Sequence, residues 1–204
     1  MRYIDLARLI FLVVMGFSVP VDILLASDDL KQLMKEGLRS KGPVEVEKVL
    51  MQDEIQKYCS SAVLDLGSSA AADLMERQLK AVVFPENENF IGNWREGERI
   101  AQSGKGMRFN DSVNTPRGGN CYACHKIRKG ELSHGTLGPS LYQYGKLRGY
   151  SEEVIRYTWI KIYNAQALAL CSNMPRYGHN GILTVEQMQD VMALLLDPNS
   201  PVNQ

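Results

Sequence analysis

Two cysteines and a histidine at a fixed spacing are the residues best suited to chemistry. Cys121, Cys124 and His125 form a Cys-x-x-Cys-His run. Two thiols at this spacing can form thioethers to the vinyl groups of a haem, while the adjacent imidazole binds the iron. A zinc site would need a second pair of Cys or His ligands, and a thioredoxin-like redox pair would need a βαβ pattern; the sequence has neither. The run predicts one covalently bound haem c with His125 as proximal ligand.

A ligating histidine needs an acceptor for its second ring nitrogen, because that hydrogen bond sets the tautomer and raises the basicity of the ligand. The carbonyl of Pro139, in a stiff loop after His125, is the candidate. A simple Gly-Pro turn is the alternative interpretation of this loop.

A methionine is the expected sixth ligand of the iron. Met174 lies in a loop before the terminal helix, where Pro175 stiffens the presentation of its sulfur. His179 is the rival ligand. The remaining candidates are interpreted as core or loop residues: Met188, Met192, Met107 and His134.

Two further cysteines, Cys59 and Cys171, remain outside the haem motif. In an exported protein, an even number of cysteines outside the haem motif predicts a disulfide. The alternative is two unrelated thiols, one of them bridged to a partner. The disulfide would tie the N-terminal part of the chain to the Met174 loop and would leave no nucleophile, so we predict no catalytic residue in this chain.

Composition and the N-terminus set the class of protein. The 204 residues are 45% hydrophobic and carry 23 Lys and Arg against 23 Asp and Glu, which gives no net field to recruit nucleic acid.

Residues 1–26 combine early arginines with an apolar stretch broken by Pro20 and Asp22. This pattern predicts a signal peptide cleaved near Ala26 and export to the periplasm, without a stable membrane span. A membrane anchor is the alternative.

Helical periodicity dominates the rest of the chain. Helices are predicted over 28–39, 43–58, 69–83, 94–103, from Ser151 to about Ala167, and in a last segment capped by Thr184 and Gln187. No stretch of strand length alternates apolar and polar residues as a β-strand would. The fold class is therefore all-α, with a helical extension and linker over 27–93 and a class I cytochrome c domain over 94–204. The haem motif lies well before the C-terminus, as in His/Met cytochromes of that class.

The chain resembles the SoxX family, the monohaem subunits of SoxAX cytochromes in thiosulfate oxidation. The resemblance is carried by residues 118–125 (GGNCYACH), 135–141 (GTLGPSL), 174–184 (MPRYGHNGILT) and 193–203 (ALLLDPNSPVN). It is dense from about Trp94 to Asn203 and thin before that, so the long extension with Cys59 departs from shorter relatives.

This resemblance implies a heterodimer with a SoxA-type cytochrome subunit. Such a pair acts as an L-cysteine S-thiosulfotransferase that oxidatively joins thiosulfate to a cysteine of the carrier protein SoxYZ. The reactive cysteine-ligated haem would belong to SoxA, and this chain would be the electron outlet to a downstream cytochrome c acceptor. A free-standing periplasmic electron carrier is the alternative.

Overall fold

The computed structural model describes residues 26–204. The predicted signal peptide, apart from Ala26, lies outside the described residues. Within 26–204 the secondary structure is helical, with one isolated antiparallel bridge between Lys41 and Val44 and no strand. The all-α fold class is confirmed for this part of the chain.

Eight α-helices are found among the described residues. They are α1 (Ala26–Gly37), α2 (Val46–Leu50), α3 (Glu54–Cys59), α4 (Ser69–Lys80), α5 (Trp94–Gln102), α6 (Tyr144–Arg148), α7 (Glu152–Asn164) and α8 (Val185–Leu196). Three short 3₁₀ turns cover Glu86–Glu88, Cys121–Ala123 and Ala165–Ala167. The described residues fall into two compact units, 26–39 and Ser40–Gln204. Helix α1 belongs to the first unit, and all the elements below belong to the second.

The prediction of one helix over 43–58 is wrong, because the structure has two short helices there. Asp53 adopts an extended conformation between α2 and α3, with φ −74° and ψ −179°. Its side chain accepts a hydrogen bond from the backbone N–H of Gln56, and the Gln56 side chain accepts from the backbone N–H of Asp53, both at 2.9 Å. This capping box starts α3 afresh.

The predicted caps of the two long C-terminal helices are confirmed. Ser151 caps α7 by accepting from the N–H of Val154. Thr184 and Gln187 form the capping box of α8. Helix α7 ends at Asn164 and continues as the 3₁₀ turn Ala165–Ala167, so the helical segment reaches the predicted end.

Helices α7 and α8 supply most of the buried residues of the main core of the second unit. Helix α5 packs closely on α8 at Gly97, where an added Cβ would lie 3.0 Å from the Leu194 Cβ and nearer still to the backbone of Asp190. Trp159 of α7 is fully buried, and its indole N–H donates to the carbonyl of Val83 at 2.9 Å. No helix within residues 26–204 is long and apolar enough to cross a membrane.

A smaller core joins α3 and α4 to the segment that follows α7. Its buried members are Ile55, Ala71, Leu74 and Leu170. Residues of the predicted extension and residues of the predicted cytochrome domain therefore share a core inside one unit. The boundary at 93/94 stays a prediction.

Candidate functional site

The Cys-x-x-Cys-His run lies on a tight turn. Asn120 precedes it in the left-handed conformation with φ 49°, which asparagine adopts more readily than most residues. The backbone N–H groups of Cys124 and His125 both donate to the carbonyl of Cys121, at 3.1 and 2.9 Å. The turn thus presents two thiols and one imidazole from five consecutive residues.

The loop over 135–141 is fastened to this turn by its backbone. Three hydrogen bonds join them: Gly135 N–H to Tyr122 O at 3.0 Å, Gly138 N–H to Cys124 O at 2.9 Å, and Leu141 N–H to Lys126 O at 2.7 Å. A Cβ at Gly135 would lie 2.8 Å from the Cα of Cys124. The loop therefore lies directly against the backbone of the motif.

The imidazole of His125 is oriented by this loop. His125 Nδ1 lies 2.7 Å from the carbonyl oxygen of Pro139, and since a carbonyl only accepts, Nδ1 carries the proton. In the neutral imidazole this tautomer leaves the lone pair on Nε2 for a ligand. A Cβ at Gly138 would lie 2.7 Å from Nε2 and closer to other ring atoms, so the ring packs directly on this glycine. This role of Gly138 is not apparent from the sequence.

These residues fit a c-type haem. Cys121 and Cys124 are free thiols, the neutral imidazole with its proton on Nδ1 offers Nε2 as a ligand atom, and Gly138 makes a cradle that a side chain would fill. In the part of the chain that the structure describes, no group of three or more His, Cys, Asp or Glu side chains is arranged to hold a bare metal ion. A bare metal ion needs several such side chains, whereas the iron of the expected haem needs only one histidine and one methionine from the protein.

The Cys121 thiol has the electrostatics of a buried, unreactive cysteine. Burial raises its pKa to about 12, although the nearby Tyr177 hydroxyl acts in the opposite direction. Reactive cysteines have a lowered pKa, because the thiolate is the nucleophile. The environment of Cys121 therefore does not suit thiol–disulfide exchange.

Met174 is half-buried against the main core, on a segment linked to the motif through Tyr177. Its backbone N–H donates to the Ser172 hydroxyl at 3.2 Å. Three residues later, the Tyr177 hydroxyl donates to the carbonyl of Gly119, two residues before Cys121. This role of Tyr177 is not apparent from the sequence.

The other candidate ligands lie in different surroundings. Met188 and Met192 are buried in the main core, in agreement with their interpretation as packing residues. Met107 is exposed, and His134 Nδ1 lies 3.0 Å from the carbonyl of Gly135. His179 is near Arg176; burial and this guanidinium lower its pKa.

The predicted disulfide between Cys59 and Cys171 is confirmed, with the two Cα atoms 5.6 Å apart. It joins the last residue of α3 to the segment that carries Met174. A second link, absent from the sequence analysis, is an ion pair between Asp53 and the buried Arg176.

Comparison with known proteins gives one family relationship. No family model matches the chain. An uncharacterized lipoprotein of Aquifex aeolicus (strain VF5) is 36% identical over 154 residues, which cover 74% of this chain and 73% of the relative. The chain belongs to the family of this lipoprotein. The match covers more of the chain than residues 94–204 contain, so it takes in residues before Trp94.

Proposed function

We propose that the chain is a monohaem c-type cytochrome that accepts electrons and passes them on singly. Cys121 and Cys124 would hold the haem covalently, with His125 and Met174 as the two iron ligands. When bound, the haem supplies a one-electron redox centre whose potential a methionine ligand raises. The observation that carries the proposal is the His125 imidazole, held by the Pro139 carbonyl with Nε2 free.

The protein's own residues have distinct tasks in this function. The Pro139 carbonyl keeps the proton on Nδ1 and makes the imidazole a better electron donor. Gly138 allows the ring to pack on the loop and restricts its rotation. Ser172 and the following Pro175 shape the backbone on either side of Met174.

The partner and reaction follow from the resemblance to SoxX. We assign the chain as the electron-accepting subunit of a SoxAX-type thiosulfotransferase, with thiosulfate conjugated to SoxYZ on the SoxA-type partner. Two features support placing the sulfur chemistry on the partner. Cys59 and Cys171 are joined in a disulfide, and the sulfurs of Cys121 and Cys124 would be bound to the haem as thioethers. Neither state suits a nucleophile.

Export to the periplasm is part of the same proposal. The relative is named a lipoprotein, and lipoproteins are exported. The disulfide between Cys59 and Cys171 suits an oxidising compartment, since thiols in the cytosol are kept reduced.

The ligand assignment is tested by replacing Met174. Met174→Ala should abolish the sulfur-to-iron charge-transfer band of the ferric protein and lower its potential, because the thioether stabilises ferrous iron. His179→Ala is the control and should leave both unchanged. If the wild-type protein lacks the band and its iron changes from low to high spin in His179→Ala but not in Met174→Ala, the sixth ligand is wrongly assigned.

The reaction is tested by assaying thiosulfate with carrier protein, using the isolated chain and the chain reconstituted with its cytochrome partner. We expect turnover only from the pair. Turnover of the isolated chain at the same rate would overturn the electron-outlet assignment. Purification from the source without any second haem chain would favour the free-standing carrier.

A further inference from the structure

Helix α3 is attached at both of its ends to the segment that carries Met174. At its C-terminal end, Cys59 is bonded to Cys171. At its N-terminal end, the capping residue Asp53 is paired with Arg176. Met174 lies between these two attachment points in the chain. The segment over 171–176 is thus held along its length by one short helix of the extension.

We propose that Asp53 is a positioning residue for the Met174 thioether, acting through Arg176. The proposal rests on Met174 being the sixth ligand. Asp53 lies 123 positions from Arg176 in the sequence and makes this contact through its Oδ2 atom. It would hold the ligand segment in place without touching the haem iron.

The burial of Arg176 makes this contact important. The Arg176 side chain is 7% exposed, whereas that of Asp53 is 41% exposed. A guanidinium withdrawn from water loses much of its hydration, and removing its partner leaves a charge that must move towards solvent. Met174 is two residues away from Arg176, so a shift of the Arg176 backbone would reach it. Loss of the Asp53 carboxylate should therefore loosen the Met174 backbone.

The Asp53 carboxylate also has a second, separable role. Its Oδ1 atom accepts the hydrogen bond from the Gln56 N–H that caps α3, while Oδ2 faces Arg176. The burial of Asp53 acts to raise its pKa, but the Gln56 N–H and the Arg176 guanidinium hold that pKa below its usual value. The carboxylate is therefore ionised at neutral pH. Asparagine caps helices about as well as aspartate, so Asp53→Asn removes the charge and retains the cap.

A matched control lies on the same helix. Glu54 pairs with Arg77 of α4 at 2.7 Å, and both side chains are more than half exposed. Glu54→Gln removes one carboxylate and one ion pair next to Asp53, but that pair lies between α3 and α4. A general effect of charge or of α3 stability would appear in both variants.

The experiment measures how fast added imidazole displaces the methionine ligand in the ferric protein, followed by loss of the sulfur-to-iron charge-transfer band. Displacement requires the Met174 segment to open, so its rate reports on the segment. We expect the rate to rise about tenfold in Asp53→Asn and to stay within about twofold of wild type in Glu54→Gln. Arg176→Lys keeps the charge without the planar fork, and we expect a rise of about threefold.

The outcomes separate this inference from the function on which it rests. The urea midpoint of the helical circular dichroism signal is measured alongside, since a purely structural role would move the rate and the midpoint in proportion. Equal rates in Asp53→Asn and Glu54→Gln would overturn the role of Asp53. If Asp53→Asn does not fold, a wild-type rate in Arg176→Lys would overturn it. A wild-type protein without the charge-transfer band would overturn the Met174 ligation itself.

Discussion

The candidate site has a histidine side, which is the turn and loop over 121–141, and a methionine side, which is the segment around Met174. The two sides are held in different ways. His125 is fixed by residues close to it in the sequence, since its partner Pro139 is 14 positions away. The segment around Met174 is fixed by remote residues. The disulfide from Cys171 to Cys59 spans 112 positions, and the hydrogen bond from Tyr177 to Gly119 spans 58.

Because of this difference, the histidine side depends on local contacts for its stability and the methionine side depends on long-range contacts. Contacts over short sequence separations close small loops, so the turn and loop over 121–141 can form with little loss of chain entropy. The methionine side is held by contacts between the extension and the C-terminal part of the chain. Substitutions in remote residues should therefore weaken the methionine side selectively, while substitutions in the loop should affect the histidine side.

The largest expected effect is the loss of the disulfide. The Cys59→Ala/Cys171→Ala double variant should lose about 2–4 kcal/mol of unfolding free energy, because the cross-link restricts a long loop of the unfolded chain. The charge-transfer band should disappear at a lower urea concentration than the helical circular dichroism signal. If the two signals are lost together at the wild-type midpoint, the disulfide does not support the methionine side.

The next effect concerns the histidine side. In Gly138→Ala the new Cβ overlaps the His125 ring, which should cost about 1–3 kcal/mol and reduce the yield of protein with His-ligated iron. Gly130→Ala is the control, since a Cβ there has no neighbour within 4 Å. Haem content and unfolding free energy are measured for both. Equal values in the two variants would contradict the packing of the ring on Gly138.

The smallest effect belongs to the link between the two sides. Tyr177→Phe leaves the Gly119 carbonyl without its hydroxyl donor and should cost about 1 kcal/mol. Burial raises the pKa of Tyr177, so the hydroxyl is protonated and available as a donor at neutral pH. Tyr157→Phe, at a tyrosine that is 43% exposed, should change the urea midpoint little. A Tyr177→Phe midpoint as high as that of Tyr157→Phe would argue against the link.

Sequence reasoning succeeded where a feature depends on neighbouring residues. The caps at Ser151 and Thr184 depend on side chains within three positions of the helix start, and both were predicted. The hydrogen bond from His125 to Pro139 was predicted from the need of the imidazole for an acceptor. The disulfide is a long-range exception, because the haem motif leaves only one pair of cysteines to join.

The features missed from the sequence are contacts set by tertiary packing and the restart of a helix at a cap. Nothing near Asp53 indicates that its carboxylate faces Arg176, and nothing near Gly138 indicates that a ring packs on it. The break between α2 and α3 was missed because the Asp53 and Gln56 capping box starts a new helix inside a stretch that was predicted as one helix. These features depend on tertiary packing or on a choice between continuing a helix and starting a new one.

The mass of the intact chain under denaturing conditions tests the central claim most directly. The protein should be produced in a host that attaches haem to exported cytochromes, and its free thiols should be labelled before the measurement. The account predicts the mass of the chain plus one haem, with Cys121 and Cys124 both protected from the label by thioether bonds. A chain mass without haem, with both of these cysteines labelled, would contradict it.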